Sequence, residues 1–384
     1  MKDNPIVIIG SGLAAWTVVR ELRKLDAQVN VTLVTRDGGD FYSKPMLSNA
    51  LGAGKTAAQL VSATRASLAA SLGVTVRAHT ELLAIEPRAH RIQTSQGPLP
   101  YRQLVLAIGA DPVRLDLAGD AAHRVLSVND LDDYARFREG LSTAHRVLIL
   151  GAGLIGCEFA NDLVRAGHAV QVVDPGAQPL GRLLPPEAGA RVRQGLEAAG
   201  VAFEWGVTVQ ALDAQSGAGV QALLSDGRRV SADLVLSAVG LRPRLALAQA
   251  AGLKTARGIV VDRGLQTSAN DIFALGDVAE VDGQWQPFVM PLMHSARTLA
   301  ARLAGQSVSL TYPAMPVVVK TPAVPVVVSP PRADGVVHWQ VQDTEDGLQA
   351  QALDAQGRLA GFALVGSAVA QKNQLQKMLP AWLA

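Results

Sequence analysis

Ile6-Val7-Ile8-Ile9-Gly10-Ser11-Gly12-Leu13-Ala14-Ala15 opens the interpretable part of the chain, and Val147-Leu148-Ile149-Leu150-Gly151-Ala152-Gly153-Leu154-Ile155-Gly156 repeats its design. Each stretch is a short apolar run that ends on a glycine pair with a third small residue beyond it. Such a run reads as a buried parallel strand. The first glycine permits a tight turn, the second lets backbone approach a pyrophosphate, and the third small position lets the next helix pack against the strand. Amides at that helix's start then hold the anion. One such unit suggests one adenine dinucleotide. Two suggest two, which predicts an α/β protein with two Rossmann-like dinucleotide-binding domains.

The surrounding pattern supplies the context that the glycine motif requires. Residues 13–25 read as the first helix, with Val31 to Val34 as the next strand. Leu104 to Ile108 reads as a further strand ending near Gly109-Ala110, and residues 129–141 as a helix capped by Asn129. In the second unit Arg146 to Leu150 is the strand, Ile155 to Ala166 the helix, and Val170 to Val173 the next strand. Leu183 to Ala199 is predicted helical and Asp233 to Val239 a strand closing at Gly240. Residues 258–277 read as a loop–strand–loop, Gly258 to Asp262 and then Ile272 to Asp277, and a helix follows from Pro291 to Leu303. After about residue 310 the β-branched runs Val317 to Val319 and Val324 to Val328, then alternation over 335–366, predict a smaller C-terminal α+β domain with a last helix from Val369 to Leu379. The expected division is 1–112 with 242–310, 113–241, and 311–384.

Each site residue has a physical reason. Gly10, Gly12, Leu13, Ala14 and Ala15 are expected to cradle FAD. In the second unit Gly151, Gly153, Ile155 and Gly156 are expected to hold NADH. Asp174 ends a strand about twenty residues beyond the second glycine turn, where a carboxylate accepts from ribose hydroxyls and repels a 2′-phosphate; it could also simply cap the turn before Pro175. The first unit has Thr35-Arg36-Asp37 at that place, leaving either Arg36 or Asp37 to meet the adenosine. Ile272 to Asp277, preceded by Thr267-Ser268, puts Gly276 where backbone can approach a ribityl-pyrophosphate and Asp277 where it can accept a hydroxyl. Lys320 follows Val317-Val318-Val319, an unusual place for a lysine. Glu158 lies close behind the second glycine turn and is a candidate partner for it.

Composition narrows the classes further. The 384 residues are 49% hydrophobic, with net charge +2 and a single cysteine. One cysteine excludes an intramolecular disulfide and a dithiol active site, and fits a reducing compartment. Cys157 is expected to pack in the core. Charge so balanced gives no reason to expect nucleic acid as a partner. The start at Met1-Lys2-Asp3-Asn4-Pro5 leads directly into a short strand, so a cytoplasmic protein without membrane insertion is expected. No metal site is predicted.

These motifs resemble the flavin-dependent pyridine-nucleotide disulfide oxidoreductase superfamily over nearly the whole length. The resemblance rests on the two glycine units, Ala107-Ile108-Gly109-Ala110, Val239-Gly240-Leu241-Arg242-Pro243, and Ala274-Leu275-Gly276-Asp277. Tyr42-Ser43-Lys44-Pro45-Met46-Leu47-Ser48 stands where that superfamily carries its active disulfide. It is similar to the corresponding element of the cysteine-free branch, the reductases of small iron proteins. Asn129 to Arg138, Gly151 to Asp162 and Lys320-Thr321-Pro322-Ala323 make the rubredoxin reductases the nearest group in that branch. The resemblance implies FAD and NADH as cofactors and places Lys44, Pro45, Ala107, Gly109 and Lys320 at the flavin, and Gly240 at the NADH region. It implies Lys320, Glu158 and Lys44 as the reactive groups, and a helix beginning at Pro291, with His294 in its first turn, near the flavin. The implied reaction is hydride transfer from NADH to FAD, then single-electron transfer to rubredoxin, a small acidic partner, for example in alkane hydroxylation. A flavorubredoxin, a small ferredoxin or oxygen, as in an NADH oxidase, are the alternative acceptors. Lys372 and Lys377 read as a solvated helix face, and a monomer or weak dimer is expected.

Overall fold

The computed structural model describes residues 4–216, 219–332, 335 and 337–384; the predicted start Met1–Asp3 and part of the alternating stretch lie outside them. The first glycine strand, Ile6–Ile9, is the middle of a five-stranded parallel sheet ordered Ile272–Ala274, Gln103–Leu106, Ile6–Ile9, Val31–Val34, Thr75–Arg77. The second, Arg146–Leu150, lies in a four-stranded parallel sheet ordered Val201–Trp205, Ala169–Asp174, Arg146–Leu150, Leu234–Ser237. Sheets buried on both faces demand continuous apolar strands, and Ile6–Ile9 is buried at every position. Each unit adds a three-stranded antiparallel ribbon: Leu82–Glu86, Arg91–Thr94 and Gly97–Pro100 in the first, Val209–Ala214, Val220–Leu224 and Arg229–Ala232 in the second.

Two connecting segments join the units. Ala110–Pro112 pairs antiparallel with Leu241–Pro243, with Asp111 opposite Arg242. Both begin after a glycine of positive φ, Gly109 at 69° and Gly240 at 123°. These glycines turn the chain out of the parallel sheets, so the preceding strands stop at Leu106 and Ser237, short of the predicted Ile108 and Val239.

The C-terminal part is an antiparallel sheet ordered Val317–Val319, Val326–Ser329, Leu359–Gly366, Gly347–Leu353, His338–Thr344. One face packs on helix Pro186–Ala198 of the second unit: Val192 and Leu196 share a core with Val324, Val326, Ala350 and Val365. The other face is covered by a short helix, Lys372–Met378, through Leu375. Tyr312 and Leu383 pair with each other and lie in the core of the first unit.

The first helix, Leu13–Leu25, has the predicted bounds. Elsewhere local chemistry moves the ends. The helix predicted from Asn129 is Leu131–Leu141, capped by Asp130, whose carboxylate accepts from the Asp133 amide at 2.8 Å. Asn129 instead donates to the carbonyl of Ala110 at 3.1 Å. The helix predicted from Leu183 begins at Pro186, because Pro185 and Pro186 suit a helix start and not an interior. The helix predicted from Pro291 begins at Val289, which puts His294 in the second turn rather than the first. The strand predicted from Val324 is Val326–Ser329, since Val324 closes a turn on Thr321. The final helix is shorter than predicted because a 3-10 turn, Ser367–Gln371, precedes it.

Candidate functional site

Both glycine turns present open helix starts. Gly12 and Gly153 are the N-caps of helices Leu13–Leu25 and Leu154–Arg165. Neither helix has a side-chain cap or an acidic residue in its first turn. The first amides of a helix have no partners within it, and here no side chain supplies one, which suits an anion. A Cβ added at Gly12, Gly109, Gly153 or Gly240 would meet nothing within 4 Å. The closest approaches lie beside them. A Cβ at Gly10 would sit 2.4 Å from the Ala107 carbonyl oxygen, and one at Gly156 only 1.9 Å from that of Gly151. Ala15, which stands in the third position of the first turn, is fully buried. The two turns therefore fit two pyrophosphates in the way their sequence implies. Leu13 and Ile155 stand at or next to the helix starts, and Ala14 packs beneath Gly276, where an added Cβ would meet it at 3.3 Å.

The two strand-end carboxylates are held differently. Asp37 accepts from the hydroxyls of Ser11 at 2.7 Å and Thr35 at 2.8 Å, and from the Gly39 amide at 2.9 Å. It is thereby placed against the first glycine turn; Arg36 and Asp37 are both exposed. Asp174 accepts from the Ala152 amide at 2.7 Å and the Gly176 amide at 2.7 Å. The turn-capping role expected for it is thus present, and the same bonds aim it at the second glycine turn. A carboxylate has further lone pairs with which to accept from a ligand.

Three regions meet on helix Leu154–Arg165. Glu158 lies in its second turn and is 1% exposed. Its Oε1 accepts from the Lys320 amide at 2.9 Å, and its Oε2 receives both the Lys320 ammonium and the Ser48 hydroxyl, the latter at 2.6 Å. Lys320, at the end of strand Val317–Val319, keeps a side chain 28% exposed. The paired lysine is how a carboxylate so deeply buried is tolerated. Asn161, one turn on, accepts from the Ala323 amide at 3.1 Å. Asp162 accepts from the amides of Leu51 at 2.9 Å and Gly52 at 3.0 Å.

Lys44 and Pro45 start the 3-10 turn Lys44–Asn49. The Lys44 ammonium lies 4.0 Å from Asp277, which sits in the 3-10 turn Gly276–Val278. Burial lowers the Lys44 pKa, with Asp277 opposing that shift. Desolvation beside Arg297 lowers that of His294. Cys157 is fully buried, its thiol against the Ala152 carbonyl at 3.2 Å and pushed up to about 12 by burial; it packs and is not a reactive thiolate. Sequence reasoning missed Ser48, Asn161 and Asp162 as site residues. Their one signal was three polar residues, Glu158, Asn161 and Asp162, at i, i+3 and i+4 on an otherwise apolar helix.

Residues 4–300 match the family described as pyridine nucleotide-disulphide oxidoreductase, and the chain belongs to it. Members of that family use FAD with a pyridine nucleotide. Residues 309–379 match the family described as rubredoxin binding C-terminal domain. The chain is similar to a rubredoxin-NAD(+) reductase of Alcanivorax borkumensis, 46% identical over 98% of this chain and 99% of that one. It is 41% identical to a nitric oxide reductase FlRd-NAD(+) reductase of Aeromonas salmonicida, over 98% and 97%. Among solved structures, the covalent putidaredoxin reductase–putidaredoxin complex superposes with a TM-score of 0.88 at 27% identity, covering 99% of this chain and 94% of that one. No helix among the described residues is long and apolar enough to cross a membrane.

Proposed function

We propose that the chain is an NADH:rubredoxin reductase of the cytoplasm, acting as a monomer or weak dimer. The observation that carries this reading is the pair of uncapped glycine-turn helix starts on two parallel sheets, with the second helix tied through Glu158 to Lys320. Residues 1–112 and 242–310 form the FAD-binding domain, 113–241 the NADH-binding domain and 311–384 the domain that meets rubredoxin. Bound FAD would take hydride from NADH and pass electrons on singly.

The residues divide the remaining work. Gly10, Gly12, Leu13, Ala14 and Ala15 bind the FAD pyrophosphate through helix amides, with Ala107, Gly109, Gly276 and Asp277 bounding the same cofactor. Gly151, Gly153, Ile155 and Gly156 do the same for NADH, with Gly240 beside them and Asp174 selecting against a 2′-phosphate. Lys44 and Lys320 bring positive charge, and Pro45 stiffens the turn that carries Lys44. Glu158 fixes the direction of the Lys320 ammonium by holding its amide and its Nζ together.

The test is NADH oxidation by the flavin-loaded protein with rubredoxin, flavorubredoxin, a small ferredoxin or oxygen as acceptor. Fast rubredoxin reduction with slow oxygen use supports the reading. The likeness to the Aeromonas protein makes flavorubredoxin the second reading, and a strong preference for it over rubredoxin would replace the first. Fast oxygen use indifferent to any iron protein overturns both.

A further inference from the structure

Glu158, Asn161 and Asp162 are 1%, 1% and 0% exposed. They share one face of helix Leu154–Arg165, spaced i, i+3, i+4. Burying two carboxylates and an amide on one helix face is costly unless each finds partners. None of their hydrogen bonds described above goes to the helix itself. Asn161 takes the amide of Ala323, three residues beyond Lys320. Asp162 takes two successive amides, Leu51 and Gly52, just beyond Ser48. These loops come from opposite ends of the chain, and each delivers one donor to the same oxygen of Glu158. The fit at Gly52 is close enough that an added Cβ would sit 2.7 Å from the Asp162 carboxylate.

We propose that Asn161 and Asp162 are positioning residues: they clamp the Leu51–Gly52 and Lys320–Ala323 loops against one face of the helix so that Lys320 and Ser48 converge on Glu158. The inference rests on the proposed NADH-to-flavin reaction for its effect on rate, and on the geometry alone for the clamp. Asp162→Asn replaces one acceptor with a donor facing an amide. Gly52→Ala pushes the loop off Asp162 while leaving the helix unchanged, so the two variants should behave alike.

Two readouts test it on the flavin-loaded protein. In amide hydrogen exchange, both variants should accelerate exchange at Leu51 and Gly52 and also in the other loop at Lys320, by about tenfold. In rapid mixing with saturating NADH, flavin bleaching should slow by about tenfold with the half-saturating NADH concentration unchanged. In a Lys320→Met background the same substitutions should slow it no further, since positioning a side chain that is gone has no effect. Exchange that changes only at Leu51–Gly52, or rate effects that simply add in the Lys320→Met background, overturns the clamp. A wild-type protein that NADH does not bleach overturns the proposed reaction instead, and the exchange experiment still decides whether the clamp exists.

Discussion

The two glycine units align position by position in sequence, Gly10 with Gly151 and Ala15 with Gly156, yet their helices have opposite surroundings. The first, Leu13–Leu25, is enclosed by its own domain. At its fifth position Thr17 reaches Met293, with a hydroxyl–sulfur distance of 3.8 Å. Arg20, which matches Asn161, lies over the Phe41 ring, and Glu21, which matches Asp162, pairs with Lys24 at the surface. The second, Leu154–Arg165, carries Glu158, Asn161 and Asp162 at those positions and spends each on another part of the chain. One backbone design thus stands once against its own surroundings and once as a joint between three regions. What separates the uses is the three polar side chains, not the glycine turn.

The sharpest way to break this contrast is to remove one partner from each helix. Lys320→Met leaves the buried Glu158 carboxylate without its cation, and an uncompensated buried charge costs several kcal/mol. Because Lys320 is partly exposed and Ser48 remains, we expect a loss of about 3 kcal/mol in denaturant unfolding. Thr17→Val should cost under about 1 kcal/mol, since a hydroxyl–sulfur contact is weak. Equal losses would mean that the second helix is no more a joint than the first.

The third position of each turn gives the next largest effect. Gly156→Ala drives a Cβ to 1.9 Å from the Gly151 carbonyl oxygen, which backbone must yield to accommodate. Overpacking of this kind costs about 1–3 kcal/mol, and NADH binding should weaken with it. Ala15→Gly in the first unit removes a buried methyl near a helix start and should cost about 1 kcal/mol or less. Unfolding midpoints of the two variants, with NADH titrations of each, check the ranking.

A pH titration sharpens the comparison at Asp162. Burial raises its pKa, with the Gly52 and Leu51 amides pulling the other way. A raised value means that the folded protein takes up this proton before the unfolded chain does. The term therefore destabilises the fold at neutral pH, and stability is regained as pH falls through the raised value toward about 4. The difference in unfolding free energy between the wild type and Asp162→Asn should shift in the wild type's favour over that window. A flat difference at Asp162 would mean that the Leu51 and Gly52 amides offset its burial in full.

Much of this was legible in the residues because its signals are local. Strand Ile6–Ile9, the Gly10–Ala15 turn and helix Leu13–Leu25 follow one another without a gap, and the predicted helix bounds were those observed. Lys320 drew notice because a lysine after three valines is anomalous, and Glu158 because it follows the second glycine turn. The helix end misread at Asn129 turned on which of two adjacent capping residues faces the Asp133 amide, a choice of backbone angle that composition does not encode. Asn161 and Asp162 stayed hidden for a different reason. Their partners lie more than a hundred residues away, at Leu51, Gly52 and Ala323, and are backbone amides. A backbone amide has no signature in the sequence, so a polar residue that serves one reads as any helix polar residue does.

The smallest expected effect lies where the two glycine strands begin. In the second unit Asp233 accepts from the amides of His145 at 3.0 Å and Arg146 at 2.8 Å, and from the Arg146 guanidinium at 2.7 Å. The matching place in the first unit holds Arg102 opposite Pro5, joined by backbone alone through the Arg102 amide at 2.9 Å. The Arg146 contact holds the Asp233 carboxyl down at about 2. A depressed value stabilises the fold above the ordinary carboxylate range, and that stabilisation drains away as pH falls from about 4 toward about 2. The pair is largely exposed, so Asp233→Asn should cost less than about 1 kcal/mol at neutral pH. That cost should shrink with added salt and vanish near the bottom of the window. An Asp233→Asn deficit that persists unchanged at low pH would assign the effect to the two backbone amides, which an asparagine oxygen can still accept only in part, and the ion pair would drop out of the contrast between the strands.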